Sequence, residues 1–272
     1  MEEVLIENGN VLLFENNDVI IKKLNIFIKN GKIEKLFSDN EKNKVYEEYN
    51  INALKVGNSD TLKNIHIIDA TDKVVMPGLI NVHAHIPMSI FRETTEGCKL
   101  YDWLSKKIWP VEDKLTEEDV YYASMLSYIE MISTGTTCVN DHYFISNAIR
   151  KAAEDAKVRT VLTRVLMDSD GEDGLKQRAE EFEKLYETRD KENSLITYTV
   201  SPHSMYTCSD KALEKSRELA KRYNLPVHIH FLESIDEIED IKNKHGIPAI
   251  DVLQKYFSDI HTILAHGVKI SD

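Results

Sequence analysis

Short apolar runs separated by turn residues dominate the first 76 residues of the chain. Two pairs of these runs flank Asn-Gly dipeptides, at 8–9 and 30–31. Asn-Gly between apolar runs is a strong hairpin signal, because both residues tolerate a positive φ. We therefore expect two β-hairpins, then a polar loop over 38–62 and two further short strands. Residues 1–76 are predicted to form the N-terminal half of a small β-sandwich.

The pattern changes after residue 77, where apolar, β-rich runs alternate with amphipathic segments. The strand candidates are 79–85, 136–140, 160–166, 195–200, 227–230 and 262–266. Strands that alternate with helices form parallel sheets, and strands buried on both faces read as near-continuous apolar runs. Residues 77–272 are therefore predicted to be an α/β domain, an incomplete TIM-type (β/α)8 barrel of about six βα units.

The clearest helix is predicted to follow Thr116, whose hydroxyl can cap the first turn, with Asp119 three residues further on. Gly135 is expected to end this helix. Its apolar stripe at helical spacing consists of Tyr122, Met125, Leu126, Ile129 and Ile132. Further helices are expected over 145–156, 174–187, 210–223 and 248–257.

The composition is that of a soluble globular protein, because 42% of the 272 residues are hydrophobic and 29% are charged. The net charge of -12 argues against a nucleic-acid partner, since an acidic surface repels phosphate backbones. No run approaches the ~18 apolar residues that cross a bilayer, and no signal-peptide pattern opens the chain. Three scattered cysteines indicate a reducing compartment and argue against a cysteine-based zinc site. We expect a cytoplasmic protein.

Histidines fall at the ends of three predicted strands. His83 and His85 lie two apart in the first strand, so their side chains point to the same side. His230 ends the fifth strand and His266 ends the sixth. A lone His-x-His pair is more often incidental, but the added strand-end histidines favour a site for Zn²⁺ or Fe²⁺. We expect His228 to face outward or to pack, and only His230 to face inward.

Glu233 is a candidate for proton transfer. It lies three residues after His230, and a carboxyl beside a metal-activated water can carry protons. Alone, a glutamate in a loop is a solvated charge, and its position at the mouth of the barrel is what makes it a candidate. His142 follows the second strand and could line the mouth, without an assigned role.

Several segments carry a resemblance to a known family. The stretch 77–85, PGLINVHAH, resembles the first-strand motif of the amidohydrolase superfamily. The order of the further motifs resembles the 5-methylthioadenosine/S-adenosylhomocysteine deaminases over essentially the whole chain. These motifs lie at 87–89, 103, 109–116, 130–131, 141–144, 162–164, 201–204, 230–233 and 265–266.

The resemblance implies roles around one divalent metal, zinc or iron. His83, His85 and His230 would ligate it. Glu233 would take a proton from the attacking water and deliver it to the ring nitrogen beside the reacting carbon. His266 would orient or activate that water.

The resemblance also implies substrate contacts. Glu112 would bind the ribose hydroxyls, His203 would hydrogen-bond the substrate, and Arg164 would meet a carboxylate such as a homocysteine tail. A structural ion pair is the alternative for Glu112 and Arg164. The family's second tail-binding arginine has no clear counterpart, so Lys176 or Arg178 could stand in, or neither. A lysine lacks the bidentate fork of arginine, which bears on preference for an acidic tail.

The implied function is hydrolytic deamination of adenine nucleosides of the 5-methylthioadenosine, S-adenosylhomocysteine or 5'-deoxyadenosine type. A small-molecule nucleoside would be the partner, with no membrane, and a homo-oligomer is allowed. Two alternatives stay open: another amidohydrolase, of the chlorohydrolase or guanine deaminase type, or a non-catalytic gene fragment. The family's eighth-strand aspartate has no counterpart after His266, so little or no activity is expected from this chain alone, with two unpaired sheet edges.

Overall fold

The computed structural model describes residues 3–51, 65–94, 97, 99–193 and 195–270. The chain divides into two compact units, Met1–Pro77 and Gly78–Asp272. The assignment of the first part to half of a sandwich stays a prediction. Within the described residues, no helix has both the length and the apolar character that crossing a membrane requires.

The first unit is built on one five-stranded sheet. Its strands are β1 (Glu3–Glu15), β2 (Asp18–Lys29), β3 (Lys32–Phe37), β4 (Ile65–Asp69) and β5 (Val74–Val75). β1 is antiparallel to β2 and parallel to β4 and β5, while β3 pairs with β2. Leu5, Phe27 and Phe37 form its buried core with side chains of a helix, α1 (Lys42–Glu48).

The predicted hairpin at Asn8-Gly9 is wrong, because β1 runs through this dipeptide with a bulge. Asn8 adopts a φ of 62° there, and its backbone N–H donates to the side chain of Asn25 at 2.9 Å. The tolerance of positive φ that suits a turn also suits a bulge. The chain reverses at Asn16-Asn17 instead, whereas the predicted turn at Asn30-Gly31 is confirmed.

The predicted loop over 38–62 is wrong in its described part. A 3-10 turn, Asp39–Glu41, leads directly into α1. The carboxylate of Glu41 accepts from the backbone N–H of Ser38 at 3.0 Å and from its hydroxyl at 2.8 Å. This capping box is a helix-start signal that the polar composition of the segment conceals. Residues 52–62 lie outside the described residues.

The second unit contains six parallel strands in chain order. They are β6 (Leu79–Ala84), β7 (Thr136–Asp141), β8 (Arg159–Leu162), β9 (Ile196–Tyr198), β10 (Val227–Phe231) and β11 (Thr262–His266). The first four form one sheet and the last two form a pair. Bridges from Val200 to Val227 and from Ser204 to His230 connect the sheet to the pair. Parallel strands in sequential order with helices between them are typical of TIM-type barrels, and the predicted fold class is confirmed.

The five predicted helices are present to within two residues, and three further helices lie among the described residues of the second unit. In chain order the helices are α2 (Leu100–Trp103), α3 (Trp109–Glu112), α4 (Glu117–Ser133), α5 (Ser146–Ala156), α6 (Glu172–Glu187), α7 (Asp210–Tyr223), α8 (Ile235–His245) and α9 (Ala249–Phe257). The three additions are α2, α3 and α8. Apolar periodicity does not predict α8, because its apolar face carries only three isoleucines among charged residues.

The longest of these helices, α4, starts as predicted but turns another face inward. Thr116 and Asp119 form the expected capping box. Most of the predicted apolar stripe is exposed, including Ile129 at 58%. The buried face instead carries small residues together with one valine and one tyrosine, namely Val120, Ala123, Ser124, Ser127 and Tyr128. Its hydroxyls find partners. Ser127, for example, donates to the carbonyl of Ile86 at 2.6 Å.

Candidate metal centre

Three histidines converge at the carboxyl ends of β6 and β10. One ring nitrogen from each of His83, His85 and His230 lies within 4.8 Å of the others. The ring centroid of His83 lies 5.0 Å from that of His85 and 5.0 Å from that of His230. Alternation along the strand explains why His83 and His85 point to the same side. It does not explain why His230, from another strand, meets them. We call these residues the three-histidine cluster.

Backbone carbonyls fix the orientation of two of these rings. Nδ1 of His85 lies 2.6 Å from the carbonyl oxygen of His142, and Nδ1 of His230 lies 2.9 Å from that of His203. A carbonyl only accepts, so both Nδ1 atoms carry the proton and both Nε2 atoms present lone pairs. The two Nε2 atoms lie 3.2 Å apart. Tetrahedral zinc with Zn–N bonds of about 2.05 Å holds two nitrogens about 3.3 Å apart.

Burial keeps the cluster neutral. It lowers the pKa of His83 to about 3 and that of His85 to about 4, and holds the pKa of His230 well below its usual range. Mutual repulsion of the neighbouring imidazoles adds to this effect for His83 and His230. Only neutral imidazole has the free lone pair that ligates a metal.

The expectation that His228 faces outward is wrong. Its ring is fully buried, and its Nε2 lies 2.9 Å from Nδ1 of His83. Residues two apart in a strand share a face, so His228 must point to the same side as His230. His142 also joins this group, with its buried ring centroid 4.3 Å from that of His230.

Glu233 lies in the loop that follows β10. The buried carboxylate of Glu237 accepts from the backbone N–H of Glu233 at 2.8 Å and from that of Leu232 at 2.9 Å, which anchors the loop. Oε2 of Glu233 lies 3.6 Å from Nε2 of His266. Burial raises the pKa of Glu233, while His266 opposes the shift. A carboxyl in this setting can both accept and release a proton.

His266 ends β11 in a strained conformation. Its φ of 76° lies in the left-handed region that non-glycine residues rarely adopt. Its ring stacks on that of His230 at 5.3 Å and lies 5.0 Å from that of His83. The N–H of Gly267 donates to the carbonyl of Phe231 at 2.8 Å, which holds this turn. The turn therefore keeps the His266 ring against the three-histidine cluster.

Glu112 ends α3, and His203 lies in the segment after β9. Oε1 of Glu112 accepts from the hydroxyl of Tyr143 at 2.7 Å, and burial raises the pKa of this carboxyl. The ring of His203 lies 4.8 Å from that of His230, and its Nδ1 lies 2.9 Å from the hydroxyl of Thr207. The structure therefore places His203 beside the three-histidine cluster. It places Glu112 in contact with Tyr143, which follows β7.

The candidate tail-binding cations are already paired within the chain. Nε of Arg164 donates to Glu181 at 2.6 Å, and Nη1 donates to the carbonyl of Val165 at 3.0 Å. Arg178 forms a two-pronged pair with Asp170, at 2.6 and 2.8 Å. Burial lowers the pKa of Arg164 below its usual range.

Lys176, the other stand-in for a second tail-binding cation, is exposed on α6. It lines a surface groove between α6 and α7 with Glu180 and Glu183, and no histidine of the cluster lines this groove. Neither stand-in therefore offers an unpaired arginine fork next to Arg164.

The amidohydrolase family matches residues 74–272, which is well over half of the chain. The chain belongs to the amidohydrolase family. The predicted family is thereby confirmed. The chain is 38% identical over 248 residues to a 5'-deoxyadenosine deaminase of Methanococcus maripaludis, covering 90% of this chain and 57% of the relative. It is 42% identical over 213 residues to a 5-methylthioadenosine/S-adenosylhomocysteine deaminase of Thermoanaerobacter pseudethanolicus, covering 78% and 49%.

Solved structures extend the likeness to the fold. An adenosine deaminase from Xanthomonas campestris with bound zinc superposes with a TM-score of 0.82 at 25% identity, over 98% of this chain and 58% of the other. A guanine deaminase from C. acetobutylicum gives a TM-score of 0.81 at 21% identity, which shows the fold alone. The amidohydrolase chain thus spans between 49% and 58% of the length of three of these relatives, the two compared by sequence and the zinc-bound adenosine deaminase.

The residues of this amidohydrolase fit a divalent metal. Nε2 of His83 is buried and has no hydrogen-bond partner among the described residues. A buried polar atom without a partner is costly, and a cation at the centre of the three-histidine cluster would satisfy it. The family assignment and this donor set together support a divalent metal.

Sequence reasoning misses Glu237, misplaces His228 and leaves His142 without a role. His228 could be found from its parity with His230, and Glu237 from the Ser234-x-x-Glu237 capping pattern, in which Ser234 accepts from the N–H of Glu237. Nothing in the sequence shows that His142 contributes its backbone carbonyl to His85, since that contact depends on how β6 and β7 pair.

Proposed function

We propose that this amidohydrolase chain belongs to a zinc-dependent hydrolytic deaminase of adenine nucleosides, of the 5'-deoxyadenosine and 5-methylthioadenosine/S-adenosylhomocysteine type. The observation that carries the proposal is the three-histidine cluster, whose ring nitrogens lie within 4.8 Å of one another. The relatives at 38% and 42% identity are named for this chemistry. The donor set of neutral imidazoles suits zinc and also iron, and zinc is the usual metal of such sites.

His83, His85 and His230 would hold the metal through their Nε2 atoms. The metal, when bound, supplies a Lewis acid that makes water nucleophilic near neutral pH. Glu233 would accept one proton of the attacking water and deliver it to the ring nitrogen next to the amino-bearing carbon. Its raised pKa and its anchored backbone suit this transfer. The second water proton would pass to the amino group, so that the C–N bond breaks and ammonia leaves. His266, 3.6 Å from Glu233, orients the water.

Glu112 and His203 would recognise the nucleoside. A carboxylate can accept from two adjacent hydroxyls, as on a ribose, and Tyr143 fixes one oxygen of Glu112 for that role. His203 would contact the purine through its Nε2, since its Nδ1 faces Thr207. Arg164 would contact the 5' substituent, and it could take a carboxylate only by releasing Glu181.

The test is ammonia release by the zinc-loaded chain. With protein in excess, even a slow single turnover is measurable. We expect release from 5'-deoxyadenosine, 5-methylthioadenosine and adenosine, and none from guanine. The matched control is the double variant His83→Ala/His85→Ala, which should neither bind zinc nor release ammonia. Equal release by this control, or turnover of guanine alone, would overturn the proposal.

A further inference from the structure

His228 is the one side chain that orients a member of the three-histidine cluster among the described residues. The backbone carbonyls of His142 and His203 hold the rings of His85 and His230. Substituting a side chain does not remove a backbone carbonyl, so these two contacts cannot be tested by mutation. For His83 the partner is Nε2 of His228, at 2.9 Å. The ring of His228 is fully buried, so no water competes for this contact.

The proton positions follow from this contact. Nε2 of His83 is buried and has no hydrogen-bond partner among the described residues, so it is the atom left to ligate the metal. A neutral His83 that ligates through Nε2 carries its proton on Nδ1. His228 must then accept that proton through Nε2 and carry its own proton on Nδ1. Its Nε2 is occupied, so it cannot also ligate the metal.

We propose that His228 is a positioning residue, which fixes the tautomer and the ring orientation of His83 for metal binding. The inference rests on the metal site proposed above. Outer partners that hold a ligating histidine raise its basicity and typically change metal affinity by about 10–100-fold. The role belongs to the acceptor atom at the Nε2 position of His228 and not to the bulk of the ring.

A matched pair of substitutions separates the acceptor from the bulk. His228→Met fills a similar volume without a strong acceptor, whereas His228→Gln places a carbonyl oxygen within reach of Nδ1 of His83. The measurement is the zinc dissociation constant, from competition with a chromophoric chelator on the 272-residue chain. We expect His228→Met to weaken zinc binding about 10–100-fold and His228→Gln to restore most of it.

The outcomes are distinct. Unchanged affinity in His228→Met, or equal loss in both variants, would overturn the positioning role. A wild-type chain that binds no zinc would instead overturn the proposed metal site. His261→Met, at an exposed histidine, is the control for removing an imidazole and should leave affinity unchanged.

Proton positions provide a second measurement if His228→Met does not fold. Long-range ¹H–¹⁵N correlation on the zinc-loaded wild-type chain reports which nitrogen of each ring is protonated. We expect the proton on Nδ1 in both His83 and His228. A proton on Nε2 of His228 would contradict the inference without any substitution.

Discussion

The two sides of the candidate site differ in how far their polar groups are paired within the chain. On the metal side, His83 leaves a buried Nε2 without a partner among the described residues. On the arginine side, formed by Arg164 and Arg178, each guanidinium charge has a carboxylate at 2.6 Å, although Nε of Arg178 is buried without a partner among the described residues. Buried groups without partners require something from outside the chain, whereas ion-paired groups do not. The metal side therefore holds an unpartnered nitrogen that a cation would satisfy, whereas the guanidinium charges of the arginine side are already balanced within the chain.

The strongest test of the metal side is Glu233→Gln. The amide keeps the shape but cannot accept and release the proton, so the rate of ammonia release should fall by about 10²–10⁴-fold. Zinc content should stay unchanged, because Glu233 is not a ligand in the proposed site. Ammonia release measured with protein in excess, as in the test above, and metal analysis check both parts. The exposed Glu239→Gln is the matched control and should retain the wild-type rate.

The next largest effect is expected for His230→Ala. It removes a ligand and should weaken zinc binding by more than the ~100-fold that loss of an outer partner can cost. The same chelator competition measures it, with His261→Ala as control. Unchanged zinc affinity would mean that the ring nitrogens of the cluster converge without holding a metal.

Much of the metal side can be predicted from the sequence. Alternation along a strand places His83 and His85 on one side, and the ends of parallel strands place His230 and His266 near them. The same rule, applied consistently, includes His228. What alternation cannot give is the partner of each Nδ1, because two of these partners are carbonyls positioned by strand pairing.

The arginine side is less accessible to sequence reasoning. Arg164 and Glu181 are 17 residues apart, on the segment after β8 and on α6, and nothing local marks them as a pair. The inward face of α4 is misread for a similar reason. Its apolar stripe predicts burial, but the packing selects small residues such as Ala123 and Ser127, so tertiary contacts override periodicity.

The histidines of the metal side should make the stability of the metal-free protein depend on pH. Burial lowers the pKa of His83 and His203 to about 3 and that of His85 and His228 to about 4. In the unfolded chain they bind protons near pH 6.5. Below that pH the unfolded chain binds more protons, so the metal-free protein loses stability as pH falls from 6.5 towards 4.

Three acids among the described residues act in the opposite direction, because burial raises the pKa of Glu112 and Glu233 as well as that of Asp141. Burial raises the pKa of Asp141 to about 7, so this carboxyl favours the folded state as pH falls from 7 to 4. The six histidines with a lowered pKa outnumber these acids, so the urea midpoint of the metal-free protein should be lower at pH 5.5 than at pH 7. His203→Gln should reduce the change of the free energy of unfolding with pH by up to about 1.4 kcal/mol per pH unit, whereas His261→Gln should leave it unchanged. A midpoint that rises on acidification would contradict this expectation.

The smallest effect, and the one that addresses the contrast directly, is expected for Glu181→Gln. Nε of Arg164 now donates to this carboxylate, and only 15% of the Arg164 side chain is exposed. Removing the negative charge leaves Arg164 as a cation that an anionic tail could neutralise. The ratio of kcat/KM for S-adenosylhomocysteine to that for 5'-deoxyadenosine should rise about tenfold, which corresponds to about 1.4 kcal/mol. Glu180→Gln, next to it and exposed, should leave the ratio unchanged. If the wild-type chain already prefers the carboxylate substrate and Glu181→Gln has no effect, Arg164 exchanges Glu181 for the tail at little cost. Arg164 would then be a binding site that Glu181 occupies until the substrate carboxylate replaces it. The two sides would then differ only in how strongly their polar groups are paired within the chain.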